Sequence, residues 1–211
     1  MSMKLENPYP DLLPEMDYRY LVDHFGNHHH PRREIGKLLR QGRIIRVKKG
    51  LYVVAATAAS SRPYSKEIMA NLIYGPSYIS LEYALSWYGW IPERVEQVAS
   101  MTPKRNKHFH TPIGDFVYHY LAREKYTIGI SQVTVRDTHT ALMATPEKAL
   151  SDLLARQALL TSLKELESHL FENLRISEEC LLTCRKTHLH DIAQVYRHPN
   201  INRLYQWVQS R

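Results

Sequence analysis

The sequence predicts an α+β protein in two parts, a small head over about residues 1–60 and a mixed α/β body over 64–211 that closes in a helical C-terminal layer. Three observations carry this expectation. Apolar residues switch repeatedly between a period near 3.6 and a period of two, which places short helices and short strands in alternation. The stretch Ala55 to Arg62 is small and polar, the composition of a linker. The positive charge is concentrated on one side of that linker. A chain of 211 residues is about one and a half domains long, consistent with a small and a larger unit.

In the head, the proline-bearing run Leu5 to Pro14 has no period and reads as an irregular lead-in or a short helical turn. Asp17 caps a helix running to Phe25 that Gly26-Asn27 stops, and His28-His29-His30 fills the following loop. Pro31 suits the first turn of a second helix with Ile35, Leu38 and Leu39 as its apolar stripe. Gly42 ends it. Arg43 to Val47 and Leu51 to Val54 then read as two strands around a Lys48-Lys49-Gly50 turn. A basic helix followed by a basic-tipped hairpin is the winged helix-turn-helix pattern.

In the body, Ser65 caps a helix through Ile68, Leu72 and Ile73, and Ser80 caps another with Leu81, Ala84, Leu85 and Tyr88 on one face. Val95 to Thr102 reads as a strand. Phe109 to Thr111 and Phe116 to Leu121 form a hairpin, and Gly129 to Val135 and Thr138 to Ala144 give two further strands. Thr145-Pro146 opens a helix with Leu150, Leu153 and Leu154 inward. Ser162 with Glu165 is a capping box for a helix striped by Leu163, Leu166, Leu170 and Leu174. Ser177 starts another near Cys180, and the tail from Asp191 to Val208 reads as helical too.

Charge narrows the function. Residues 1–62 hold 11 basic and 6 acidic side chains against 17 and 15 in 63–211, so the net +7 is unevenly spread. Within 26–62 Glu34 alone opposes nine cations, a local field that suits a polyanion. Arg32, Arg33, Lys37 and Arg40 fall where a recognition helix enters the major groove, Arg43 and Arg46 lie on the first strand of the hairpin, and Lys48 and Lys49 mark its tip. Arginine suits paired contact with guanine, whereas lysine serves phosphate as a point charge. Four phosphates met by Arg33, Lys37, Lys48 and Lys49 would set a log–log salt slope of about −3.6. A second basic knot, Lys104, Arg105 and Lys107, reads as an exposed loop, extra backbone contact or a partner-facing patch.

Other classes find less support. No run of 18 apolar residues occurs and Met1 to Asp11 lacks an apolar signal-peptide core, so membrane and secreted readings give way to a cytoplasmic one. Cys180 and Cys184, four apart, read as reduced. No phosphate-binding loop, dinucleotide fingerprint, zinc-protease or nucleophile-elbow motif occurs, and Glu147-Lys148 with Asp115 only faintly resembles a nuclease carboxylate set. No catalytic residue and no cofactor is assigned. Twelve histidines include His28-His29-His30, His108-x-His110 and His188-x-His190, but no CxxC occurs, Cys180 and Cys184 are four apart and adjacent histidines rarely chelate well, so they read as surface or titrating groups, with no metal. Protonation of the triple histidine below about pH 6.5 would strengthen anion binding by the head.

Six blocks add a resemblance. Arg43 to Tyr52, Tyr78 to Leu85, Gly89-Trp90-Ile91-Pro92-Glu93, Thr102-Pro103-Lys104-Arg105, Thr111 to Tyr118 and Ala144 to Leu154 occur in the order found in the AbiEi-type antitoxin family of transcriptional regulators, which this chain resembles over about residues 32–154. The resemblance implies an N-terminal winged helix that binds double-stranded operator DNA, a body (64–211) acting as the antitoxin domain, and repression of an operon shared with a nucleotidyltransferase-like toxin of a type IV toxin-antitoxin or abortive-infection pair. Such antitoxins oppose their toxin with or without a stable complex. The head departs from the family pattern in showing one helix, not two, before the basic one. The resemblance fades after Leu154. Two alternatives stay open, a metal-dependent nuclease or nucleotidyltransferase-like enzyme using the body's carboxylates, and an RNA-binding module that reads shape.

Overall fold

The structure, a computed structural model, describes residues 12–26, 30–55, 64–136 and 139–211. Most of the linker, the turn at Asn27 and two of the three loop histidines, His28 and His29, lie outside them. Asp17 accepts a hydrogen bond from the Tyr20 amide (2.7 Å) and caps α1 (Tyr18–His24), as its side chain predicts. Pro31 opens α2 (Pro31–Arg40), and Gly42 closes it at φ +64°, with the Gly42 and Arg43 amides donating to the carbonyls of Leu39 and Leu38 in a Schellman arrangement. The hairpin β2 (Ile44–Lys48) and β3 (Leu51–Val54) turns through Lys49-Gly50, where Gly50 takes φ +84°.

One head element has no sequence signature. Glu15–Asp17 forms a strand, β1, ahead of α1, and pairs with β3 to give a three-stranded antiparallel sheet of order β1-β3-β2. Three residues with one apolar side chain cannot announce themselves by period. One face of this sheet, through Met16, Ile44 and Tyr52, packs on Leu21, Phe25, Ile35 and Leu38. Its other face, through Val47, Leu51 and Val53, belongs to the core of the body.

The body begins with α3 (Lys66–Ile73), capped by Ser65 as expected, but its buried face is Met69, Ala70 and Ile73, with Leu72 half exposed. A six-stranded mixed sheet follows: β4 (Tyr78–Ile79), β5 (Val98–Thr102), β6 (Lys107–Thr111), β7 (Gly114–Tyr120), β8 (Ile130–Arg136) and β9 (His139–Ala144), in the order β6-β7-β5-β4-β9-β8. The central β4 is only two residues long, and its ladder with β9 is a single pair, Ile79 with Met143. Asn71 of α3 extends it, accepting from the Leu142 amide (2.7 Å) and donating to the Leu142 carbonyl (3.2 Å). A side-chain amide thus stands in for a missing strand residue.

Between β4 and β5 lies α4 (Leu81–Trp87), with Leu81, Ala84 and Leu85 buried as predicted. A short α5 (Arg123–Tyr126) precedes β8. α6 (Pro146–Leu154), capped by Thr145, is buried on all sides from Glu147 to Leu154. Around it gather α7 (Leu163–Ser168) running into a π-helical turn at His169–Asn173, α8 (Glu178–Leu182), α9 (Lys186–Tyr196) and α10 (Pro199–Gln209). Ser162 caps α7, whereas the Glu165 carboxylate accepts from Thr161 and not from Ser162; Leu163, expected inward, is exposed. The tail is helical as expected, in two helices, because Arg197 turns left-handed (φ +49°) and His198-Pro199 starts a new one.

The centre of the body is charged. Lys148 and Asp152, one turn apart on α6, are wholly buried and paired at 3.0 Å. Asp152 also accepts from Tyr78 (3.0 Å), Ser80 (2.7 Å) and Tyr196, while the Lys148 ammonium donates to the Lys125 carbonyl (2.8 Å) and the Tyr196 hydroxyl. Burial, with Asp152 beside them, pushes Tyr78 and Tyr196 well above the ordinary phenol range, so both stay donors. Burial lowers the Lys148 ammonium and Asp152 opposes that. Gly129 lies over the lysine stem at φ +72°, where a Cβ would come within 2.7 Å of the Lys148 Cβ.

Two expectations follow for equilibrium denaturant unfolding. Asp152→Asn leaves an unpaired buried ammonium and lowers stability by about 3 to 5 kcal/mol. Gly129→Ala, strained in backbone and in space, lowers it by roughly 2 kcal/mol. A shift below about 0.5 kcal/mol for either would contradict the packing described.

Candidate nucleic-acid interface

α2 presents its charges because its apolar stripe is fixed. Ile35 and Leu38 are buried against α1 and the sheet, with Leu39 half-buried, so Arg32, Arg33, Lys37 and Arg40 point outward and are exposed. Glu34, one turn before Lys37, approaches it at 3.7 Å, a solvated pair of little energetic weight. His30 occupies the helix N-cap position without a side-chain cap, and with Tyr18, Val22, Pro31 and Arg32 it lines an open groove between α1 and α2. Arg43 is half-buried, and Arg46 and Lys49 are exposed. Six exposed cations, Arg32, Arg33, Lys37, Arg40, Arg46 and Lys49, therefore remain on the helix and hairpin.

Lys48 behaves differently from its expectation as a wing-tip contact. β2 pairs with β3 through Arg46 and Tyr52, then through Lys48 and Leu51, with a bulge in between. Regular alternation would set Ile44, Arg46 and Lys48 on one face; the extra residue turns Lys48 to the other. Its ammonium donates to the Ile73 carbonyl at the end of α3 and lies 5.8 Å from the centre of the Phe109 ring. Burial lowers its pKa, helped by the charge of Lys104.

Lys104 mirrors it from the body. It donates to the Gly75 carbonyl and lies 5.3 Å from the centre of the Tyr74 ring. Two lysines, one from the head and one from the body, thus satisfy carbonyls at and just past the C-terminal end of α3, where the helix dipole favours a cation. Of the second basic knot, only Arg105 and Lys107 are exposed without such a role, and Asn106 between them accepts from the Tyr120 amide (2.7 Å).

The seam between head and body carries one more anchor that the sequence hid. Glu15 of β1 receives the Arg136 guanidinium at 3.1 Å and the Ser65 amide at 2.5 Å, and is nearly buried. Neither Glu15 nor Arg136 belongs to any local pattern, so only the tertiary structure pairs them.

The residues considered for an enzyme are not gathered. Burial alone would raise Glu147, but hydrogen bonds, led by the Arg185 amide (3.0 Å), hold it below the ordinary carboxylate value. It ties the start of α6 to the start of α9, with His188 Nδ1 at 3.6 Å. Asp115 stands instead beside His108 and His110. Cys180 and Cys184 are free, and burial, with Glu147 and Cys180 nearby, pushes the Cys184 thiol up to about 12, which leaves it unreactive. Among the described residues no helix is long and apolar enough to cross a membrane. No family model matches the chain, and no curated protein matches it.

Removing the seam contacts gives measurable losses. Glu15→Gln weakens the charge-assisted bonds from Arg136 and the Ser65 amide and lowers unfolding stability by about 1 to 3 kcal/mol. Lys48→Ala removes one carbonyl's partner and the packed stem, for about 1 to 2 kcal/mol. Chemical denaturation of each variant against the parent chain measures both.

Proposed function

We propose that this chain is a DNA-binding transcriptional regulator and the antitoxin of a type IV toxin-antitoxin, or abortive-infection, pair. The observation that carries the DNA-binding half is the head: a strand, two helices and a hairpin, with sheet order β1-β3-β2 and a cationic, outward-facing second helix. That order is the one a winged helix-turn-helix uses, with α2 as the recognition helix and the β2–β3 turn as the wing. β1 supplies the first strand of such a head, and α1 and α2 its helix-turn-helix. Arg32, Arg33, Lys37 and Arg40 would meet base edges and phosphates in the major groove, and Lys49 with Arg46 the flanking backbone.

The antitoxin half rests on the ordered motif blocks. Those blocks fall on structural positions, including the hairpin turn at Gly50, β4 with the start of α4, the β6–β7 hairpin, and α6 with its buried Lys148 and Asp152. A body held by such a centre would counter a nucleotidyltransferase-like toxin encoded beside it, with repression of the shared operon assigned to the head.

Fluorescence anisotropy with duplex DNA from upstream of the gene, against random duplex, over a salt series tests the first half. With Lys48 withdrawn, Arg33, Lys37 and Lys49 meeting one phosphate each give a slope of log K on log salt of about −2.7. Lys49→Ala reduces it by about 0.9, while Lys48→Ala leaves it unchanged. A slope near zero for the parent chain overturns the reading, and stronger competition by duplex RNA than by DNA replaces it with an RNA-binding one. Co-expression with the adjacent gene's product, scored by relief of growth arrest, tests the second half.

A further inference from the structure

One cluster of metal-ligating side chains lies apart from the basic face. β6 is an edge strand of the body sheet, and His108 and His110, two residues apart, project from the same face of it. Directly across the ladder from His110 stands Asp115 of β7. Strand alternation and cross-strand pairing thus bring two imidazoles and a carboxylate to one spot, on the sheet face opposite Phe109 and Tyr118. His110 Nδ1 lies 2.8 Å from Asp115 Oδ1, His108 Nε2 lies 4.0 Å from the same oxygen, and the two rings are 3.8 Å apart between centres. One ligand atom from each of the three falls within 4.8 Å of the others.

The platform beneath is fixed. Phe109, between the two histidines, points to the opposite face and meets the Tyr118 and Tyr74 rings at 5.7 and 5.8 Å. The turn that joins the strands is closed by the Thr111 hydroxyl, which donates to the Gly114 carbonyl (2.7 Å) and accepts from the Ile113 amide. Both strands therefore present their ligands from a rigid hairpin.

We infer that His108, His110 and Asp115 form a binding site for a divalent first-row transition metal of borderline softness, with Zn²⁺ as the ion of choice. Two nitrogens and one carboxylate oxygen match the ligand preference of zinc, and three protein ligands leave a fourth tetrahedral position open to water or to an anionic oxygen. Zinc bonds of about 2.1 Å at tetrahedral angles place ligand atoms about 3.4 Å apart. The 2.8 Å pair would open and the 4.0 Å pair would close by about 0.6 Å each, within the reach of side-chain rotation on a fixed backbone. The sequence spacing His108-x-His110 supplies only two ligands. The third comes from the partner strand, which is why the pair looked like surface histidines.

The inference is independent of the DNA-binding reading, and its test separates the site from the chain's ten other histidines. The full-length chain is treated with diethyl pyrocarbonate with and without Zn²⁺, and modification of each histidine is read by mass spectrometry. The result expected is protection of His108 and His110 together on zinc addition. Asp115→Asn, nearly isosteric and partly exposed, abolishes that protection with Tm unchanged, and weakens zinc binding to this site by more than the roughly 10- to 100-fold that loss of an outer-shell partner brings. A triple substitution of His28, His29 and His30 leaves the protection intact. Absence of protection at His108 and His110, or protection that survives Asp115→Asn, overturns the site.

Discussion

The body is organised around the carboxylate of Asp152. A charge at this depth persists only when every lone pair is met, and four donors converge on its two oxygens from β4, the start of α4, α6 and α9. Through Lys148 the same cluster reaches the Lys125 carbonyl of α5. The sheet, the helices on it and the C-terminal layer thus share one fixed point. Ion pairs of this kind contribute little net stability against an apolar substitute, but they admit few alternative arrangements. The hydroxyl of Ser80 illustrates the priority: it donates to Asp152, and α4 begins without a side-chain cap.

A single extra residue in β2 decides how the basic hairpin is used. The bulge between Arg46 and Lys48 leaves Arg46 on the outer rim and sends Lys48 to the end of α3, where Lys104 arrives from the other side. Two cations that look like polyanion ligands are therefore helix-end partners, and the outward charge of the head is carried by α2, Arg46 and Lys49.

Much of this was legible in the sequence. Caps and breakers located α1, α2, α3 and α6 because Asp17, Pro31, Ser65 and Thr145-Pro146 act within one turn of themselves. The hairpins and the exposed basic face of α2 followed from period and turn residues. What escaped was non-local. β1 and β4 are too short to carry a period, the bulge is a property of pairing, and the buried face of α3 is set by where the sheet lies. Glu15 with Arg136, and Lys148 with Tyr78 and Tyr196, are partners across folds of the chain, so no local window contains them; Asp115 stands five residues from His110, and it is the cross-strand register of the β6–β7 hairpin that brings its carboxylate to the histidines. Only Lys148 and Asp152 stood four apart in plain view, and there a buried charge pair looks like a surface one.

β3 has a consequence for the precision of the head. It is the middle strand of its sheet, with Tyr52 turned to the helices and Leu51 and Val53 turned to the body. A strand slipped by one residue exchanges its two faces. Here that error would press the Tyr52 hydroxyl into the body's apolar core and strand Leu51 and Val53 under the helices, so both cores oppose it at once. The register of the hairpin, and with it the direction in which Arg46 and Lys49 point, is thus proofread from two sides by packing alone.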